Sequence, residues 1–132
     1  DYEYPISVIS KFQSNPGPFD KAEESGKVKV EEMALDEYKQ LVHAFRSHGA
    51  KLVALIPPIY SKAYKLHKDD NDNYFKLMSD LFLPDEMIIN FNLPLYSKYT
   101  DDVSNFQDTG HLSRKGAEIF SLEFASQIDG LL

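Results

Sequence analysis

The chain has 132 residues, a length that fits one domain, and 42% of them are hydrophobic, which excludes an intrinsically disordered protein. A formal net charge of −7 without a basic stripe excludes a nucleic-acid or anionic-membrane surface. The absence of cysteine excludes disulfides, thiolate catalysis and thiolate metal sites, and no apolar run approaches the length of a membrane span.

Residues 1–30 carry few helix signals. Tyr4 to Ser10 alternates weakly and reads as a short strand. Gln13 to Pro18 reads as a loop, with prolines flanking Gly17. Glu23 to Gly26 is a second turn, and Lys27-Val28-Lys29-Val30 is extended or leads into a helix. The segment is expected to be an irregular surface wrap or linker on a single α/β domain spanning 1–132.

Residues 31–48 read as an amphipathic helix. Ala34, Tyr38, Leu41, Val42 and Phe45 recur at helical period. Acids crowd its start and Arg46 and His48 its end, as the helix dipole favours. Gly49 suits the position just past the helix. His43 and His48 have no partner at metal-ligand spacing and read as surface histidines.

Residues 51–56 form a short apolar run with β-branched content, closed by Pro57-Pro58. That is the pattern of a buried parallel strand. Helix, buried strand and further helix together indicate α/β architecture. Ligands of such folds sit at the carboxyl ends of strands, which puts Pro57, Pro58 and Tyr60 near any site.

Residues 59–68 read as helical. Asp69, Asn71, Asn73 and Asp80 match positions 1, 3, 5 and 12 of a calcium-binding loop, but Tyr74 stands where glycine makes the turn. The preferred reading is a solvated loop, with Asp70 or Asp72 capping a helix from Tyr74. Leu83 to Glu86 is a turn. Residues 87–91 read as a second buried strand, and residues 93–107 as a long polar loop in which Tyr96 and Tyr99 cover the core. Residues 114–129 form the closing helix, with Ala117, Phe120, Ser121, Phe124, Ala125 and Ile128 on one face. The fold class is therefore α/β, three-layer, with a small parallel sheet flanked by helices.

The chemistry lies between the last loop and the last helix. Asp108 precedes His111 by three residues, with Gly110 between and Ser113 as candidate N-cap. Imidazole takes a proton from a hydroxyl near neutral pH, and does so well when a carboxylate fixes its other nitrogen. The candidate site residues are thus Asp108 as orienting acid and His111 as general base. Asp-x-x-His is equally the pattern of a capping acid beside a surface histidine.

The run Phe106-Gln107-Asp108-Thr109-Gly110-His111-Leu112-Ser113, followed by Gly116-Ala117, resembles the C-terminal block of SGNH (GDSL-type) hydrolases. Residues Gly49 to Pro58 are similar to that family's late strand ending in prolines. The resemblance implies a serine esterase or acyl-transfer enzyme acting on an acyl or acetyl ester, one carried on a carbohydrate included. It implies no metal or organic cofactor, and it leans towards the cell envelope. The chain has no Gly-Asp-Ser nucleophile block, no Gly-x-Asn-Asp block and no Gly-x-Ser-x-Gly elbow. The expectation is a C-terminal part of a longer protein, inactive alone unless Ser61 or Ser104 reaches His111. An upstream half or a second copy would then cover one sheet edge. The alternative is a non-catalytic α/β binding or scaffolding module that keeps the acid–histidine loop for structural reasons.

Overall fold

The structure is a computed structural model, and it describes residues 5–17 and 31–129. Two parallel strands, β1 (Val53–Ile56) and β2 (Met87–Asn90), pair in register Val53 with Met87 through Ile56 with Asn90. Both fall inside the predicted runs, but β1 is not the buried strand expected. Val53 and Leu55 are exposed and Ala54 and Ile56 only half-buried, because no further strand or helix covers that side of the two-stranded sheet among the described residues. The connection between them carries α3 (Ser61–Leu66) and α4 (Lys68–Ser79). Parallel neighbours need such a crossover, because a tight turn cannot return the chain in the same direction.

Before β1 comes α2 (Glu32–Ser47), one residue shorter at each end than expected. Its exit is stereochemically specific. Gly49 has φ +75°, its N–H donates to the Arg46 carbonyl, and the Ala50 N–H donates to that of Phe45. This is a Schellman termination, which favours glycine at that position. After β2 follow a 3-10 turn (Pro94–Tyr96), the short α5 (Ser97–Thr100) and a second 3-10 turn (Val103–Asn105). The long loop expected at 93–107 is thus mostly tight helical turns. The closing helix is α6 (Arg114–Ile128).

The strand period of two sorts β2 between opposite faces. Ile89 clusters with Phe91, Tyr96 and Phe120, and Met87, Phe124 and Ile128 pack against that cluster. Phe91 stacks edge-on against Tyr96 and Phe120 at 4.9 and 5.1 Å. The tyrosines expected to cover the core do so: Tyr96 is buried, and Tyr99 packs on Phe120. The face of α6 is rotated from the expected one. Gly116 and Phe120 are buried, while Ala117, Ser121 and Ala125 are exposed. On the other side, Ile88 and Asn90 line an apolar groove of about 590 Å³ between α2, α4 and β1. Only Val42 of the expected α2 stripe is buried; Leu41 and Phe45 stay about half exposed along this groove.

The expectations for the first segment fail. The described part of the expected Tyr4–Ser10 strand, residues 5–10, forms no strand, and residues 1–30 are not irregular throughout: α1 (Ile6–Ser14) is a helix. Ile9, Phe12 and Gln13 are its half-buried positions, a spacing of three and four that belongs to a helix. The readings of residues 18–30 and of Gly130 lie outside the described residues. The acidic run from Asp69 to Asn73 is no loop either, since it forms the first turns of α4. Acids are favourable at a helix start, and Lys68 pairs with Asp72 across one turn. That helical course removes the loop that a calcium site of this spacing requires.

Candidate functional site

Three elements fix the loop that carries Asp108 and His111. Phe106 and Leu112 form an isolated antiparallel bridge at its base. Within that bridge the Gln107 N–H donates to the His111 carbonyl at 2.7 Å, and its side-chain amide donates to the Leu112 carbonyl at 2.7 Å. Phe106 is fully buried and anchors the base against Tyr60, with ring centroids 5.8 Å apart.

The exit of β1 grips the loop from one side: the Tyr60 N–H donates to the Thr109 carbonyl at 2.9 Å. From another side α1 reaches in. Gln13 donates its side-chain amide to the Phe106 carbonyl at 2.9 Å, and Phe12 meets the Tyr60 ring edge-on.

Helix α6 holds the third side. Ser113 is its N-cap, as expected, accepting from the Gly116 N–H at 3.2 Å. The Ser113 hydroxyl donates in turn to the Ser104 carbonyl at 2.8 Å. Gly116 lies against the preceding turn: a Cβ there would sit 2.0 Å from the Asn105 carbonyl oxygen. Only a residue without a side chain allows that approach.

Inside this frame Asp108 and His111 meet. The Nδ1 of His111 lies 2.9 and 3.0 Å from the two carboxylate oxygens of Asp108. A carboxylate only accepts, so Nδ1 carries the proton of this bond. One of these oxygens also accepts from the Gly110 and His111 backbone N–H groups at 2.9 and 2.8 Å. Burial alone would push the Asp108 carboxyl up, but these donors outweigh it and hold it below its ordinary value. The imidazole is 68% exposed, so substrate-sized groups can approach it.

The candidate serines are engaged elsewhere. The Ser61 hydroxyl donates to Asp101. Ser104 donates to Asp102 at 2.6 Å and accepts from Lys115 at 2.6 Å. Lys115 also pairs with Asp102 at 2.8 Å, and that ammonium is the largest influence holding the Asp102 carboxyl down at about 2. This triad tethers the 3-10 turn to the start of α6, a role the sequence reading missed. The eleven-residue spacing of Ser104 and Lys115 carried no signal for it.

Among the described residues no cluster of three or more acids and histidines could hold a metal ion, and no helix is long and apolar enough to cross a membrane. Comparison with known proteins gives no matching family model, no matching curated protein and no matching solved structure.

Proposed function

We propose that this chain is the acid–histidine part of a serine ester hydrolase or acyl-transfer enzyme of the SGNH type, built on a three-layer α/β fold. The observation that carries the reading is the Asp108 carboxylate bound to Nδ1 of an exposed His111 on a loop fixed from three sides. A histidine held in that tautomer presents Nε2 as base. In this reading Nε2 takes the proton of a serine hydroxyl supplied from outside the 132 residues, while Asp108 stabilises the resulting imidazolium. The substrate is an acyl or acetyl ester, one carried on a carbohydrate included.

A second reading keeps the chain as a non-catalytic binding or scaffolding module. It is favoured by the two backbone N–H groups that Asp108 accepts, which give the acid a structural task without any chemistry.

The test uses a fluorophosphonate probe and a model acetyl ester, on this chain and on the longer protein that this reading requires. The expected result is labelling of a serine outside the chain and no labelling within it. In the longer protein, His111→Ala should lower ester turnover by about 10³-fold or more. Labelling of Ser61 or Ser104 would overturn the assignment of an outside nucleophile. Absence of any labelled serine in the longer protein would favour the module.

A further inference from the structure

Beyond the carboxyl ends of β1 and β2 lies a cleft of about 420 Å³. That is within the roughly 300–1,000 Å³ of small-molecule sites, at the place where open α/β sheets bind ligands. One wall follows β1 and contains Ser61, Tyr64 and Lys65; the facing wall follows β2 and contains Leu93, Pro94 and Asp101. Asn92 ties the two walls together. Its Oδ1 accepts from the Ile59 N–H at 2.8 Å and its Nδ2 donates to the Pro57 carbonyl at 2.9 Å.

The cleft's polar groups come as donor–acceptor pairs. Ser61 donates to Asp101 across the two walls. Tyr64 donates to one oxygen of Asp72 at 2.6 Å, and Lys68 pairs with the other. Burial beside Asp72 pushes the Tyr64 hydroxyl up to about 12, so it remains a donor. Two lysines and two aspartates line the cleft, and their formal charges cancel. A site for phosphate or a carboxylate needs surplus positive charge, and a cation site needs surplus acid; neither is present. Each carboxylate still has lone pairs to offer, and Lys65 and Ser61 still have polar atoms. Ile59, Leu93 and Pro94 add an apolar strip beside them.

A ring with an apolar face and a rim of hydroxyls matches this surface. Each hydroxyl both donates and accepts, so it can insert into a donor–acceptor pair without leaving either member unsatisfied. We propose that this cleft binds a neutral polyhydroxylated ligand of the saccharide class. On the hydrolase reading, on which this role rests, it holds the alcohol portion of the ester. The placement fits: Tyr60 bonds the Asp108–His111 loop through Thr109, and the next residue, Ser61, lines the cleft.

The test is a titration of the isotope-labelled chain, followed by amide NMR, with glucose, N-acetylglucosamine and their β-linked disaccharides. Inorganic phosphate and acetate serve as anionic controls. At least one saccharide should shift the Ser61, Tyr64, Asn92 and Ser97 amides saturably, and more than either anion does. Asp101→Asn keeps the shape and removes the charge, and should weaken that binding about tenfold. Ser61→Ala should weaken it in the same direction. The proposal is overturned if no saccharide moves these amides, if phosphate moves them more, or if both variants bind as the wild type does. Saccharide binding without any serine labelled by the fluorophosphonate probe would remove the hydrolase reading alone.

Discussion

A single oxygen of Asp108 accepts from the Gly110 N–H, the His111 N–H and the His111 ring. The residue thus builds the turn and orients the imidazole with the same group. Asp108→Asn keeps an oxygen for the backbone donors but loses the charge, whereas Asp108→Ala loses both. In the wild type, the neutral tautomer of the His111 ring should carry its proton on Nδ1, measured by the ring nitrogen shifts. Both variants should move the ring towards the Nε2-protonated tautomer, and the alanine variant should also disorder residues 109–111. An unchanged tautomer in both would remove Asp108 as the orienting acid. Because its folded carboxyl lies below its ordinary 3.8, its contribution is present above that pH and fades as the pH falls further. Gly116 offers a second test. Alanine there meets the Asn105 carbonyl, which is backbone and cannot swing aside. Gly116→Ala should destabilise by about 2–3 kcal/mol in denaturant unfolding. The acid–histidine spacing was readable from the sequence, because a three-residue offset across a turn is local. The reason for Gly116 was not, since its contact lies in a different turn.

At the level of elements, the strands were legible as short apolar runs and the two long helices from helical spacing and end signals, although half or more of the residues read on each helix's buried face are exposed. The misread elements have physical causes. α1 follows Pro5, a recognised start signal, but its half-buried positions begin only at Ile9, so the first residues alone looked like an alternating strand. α4 begins with residues of poor helix propensity, and tertiary and dipole terms override that weak preference. The Arg46–Glu86 pair lay forty positions apart and was invisible to any local pattern. Arg46 binds Glu86 through Nε at 2.7 Å and through its terminal nitrogen, which also donates to the Leu81 carbonyl at 2.7 Å. Together they clamp the end of α2 to the turn before β2. The guanidinium, together with the Leu83 N–H, holds the Glu86 carboxyl down at about 2 against burial. A depressed folded value means that this stabilisation is complete above about 4.5 and is lost as the pH falls through about 2. Glu86→Gln should therefore be less stable than wild type at neutral pH, and the gap should close across that window. Urea midpoints measured between neutral pH and the acid limit would show it; a pH-independent gap would mean that packing, not charge, holds the clamp.

For the whole molecule, the distribution of exposure is uneven in a way composition cannot show. The core on the α6 side is tight: Phe91 and Phe106 are 2% and 0% exposed. On the opposite side, Val53 and Leu55 of β1 are 36% and 46% exposed, beside half-exposed Leu41 and Phe45 of α2. No acid, lysine, arginine or histidine lines the groove that they share. Among the described residues β1 pairs only with β2, so one edge of each strand carries no strand partner. Two parallel strands are too few to bury both of their faces, and parallel sheets are normally covered on each. The energetics should divide the molecule accordingly. Phe91→Ala removes a ring enclosed by Ile89, Tyr96 and Phe120, and should cost about 3–5 kcal/mol. Leu55→Ala removes a side chain already half in water and should change stability by no more than about 1 kcal/mol. The same groove should bind a hydrophobic dye such as anilinonaphthalene sulfonate in the native state, and Leu55→Lys should reduce that signal without unfolding the chain. If Leu55→Ala proves as costly as Phe91→Ala and no dye binds, the groove is covered in solution. The two-strand sheet would then be only part of the folded unit.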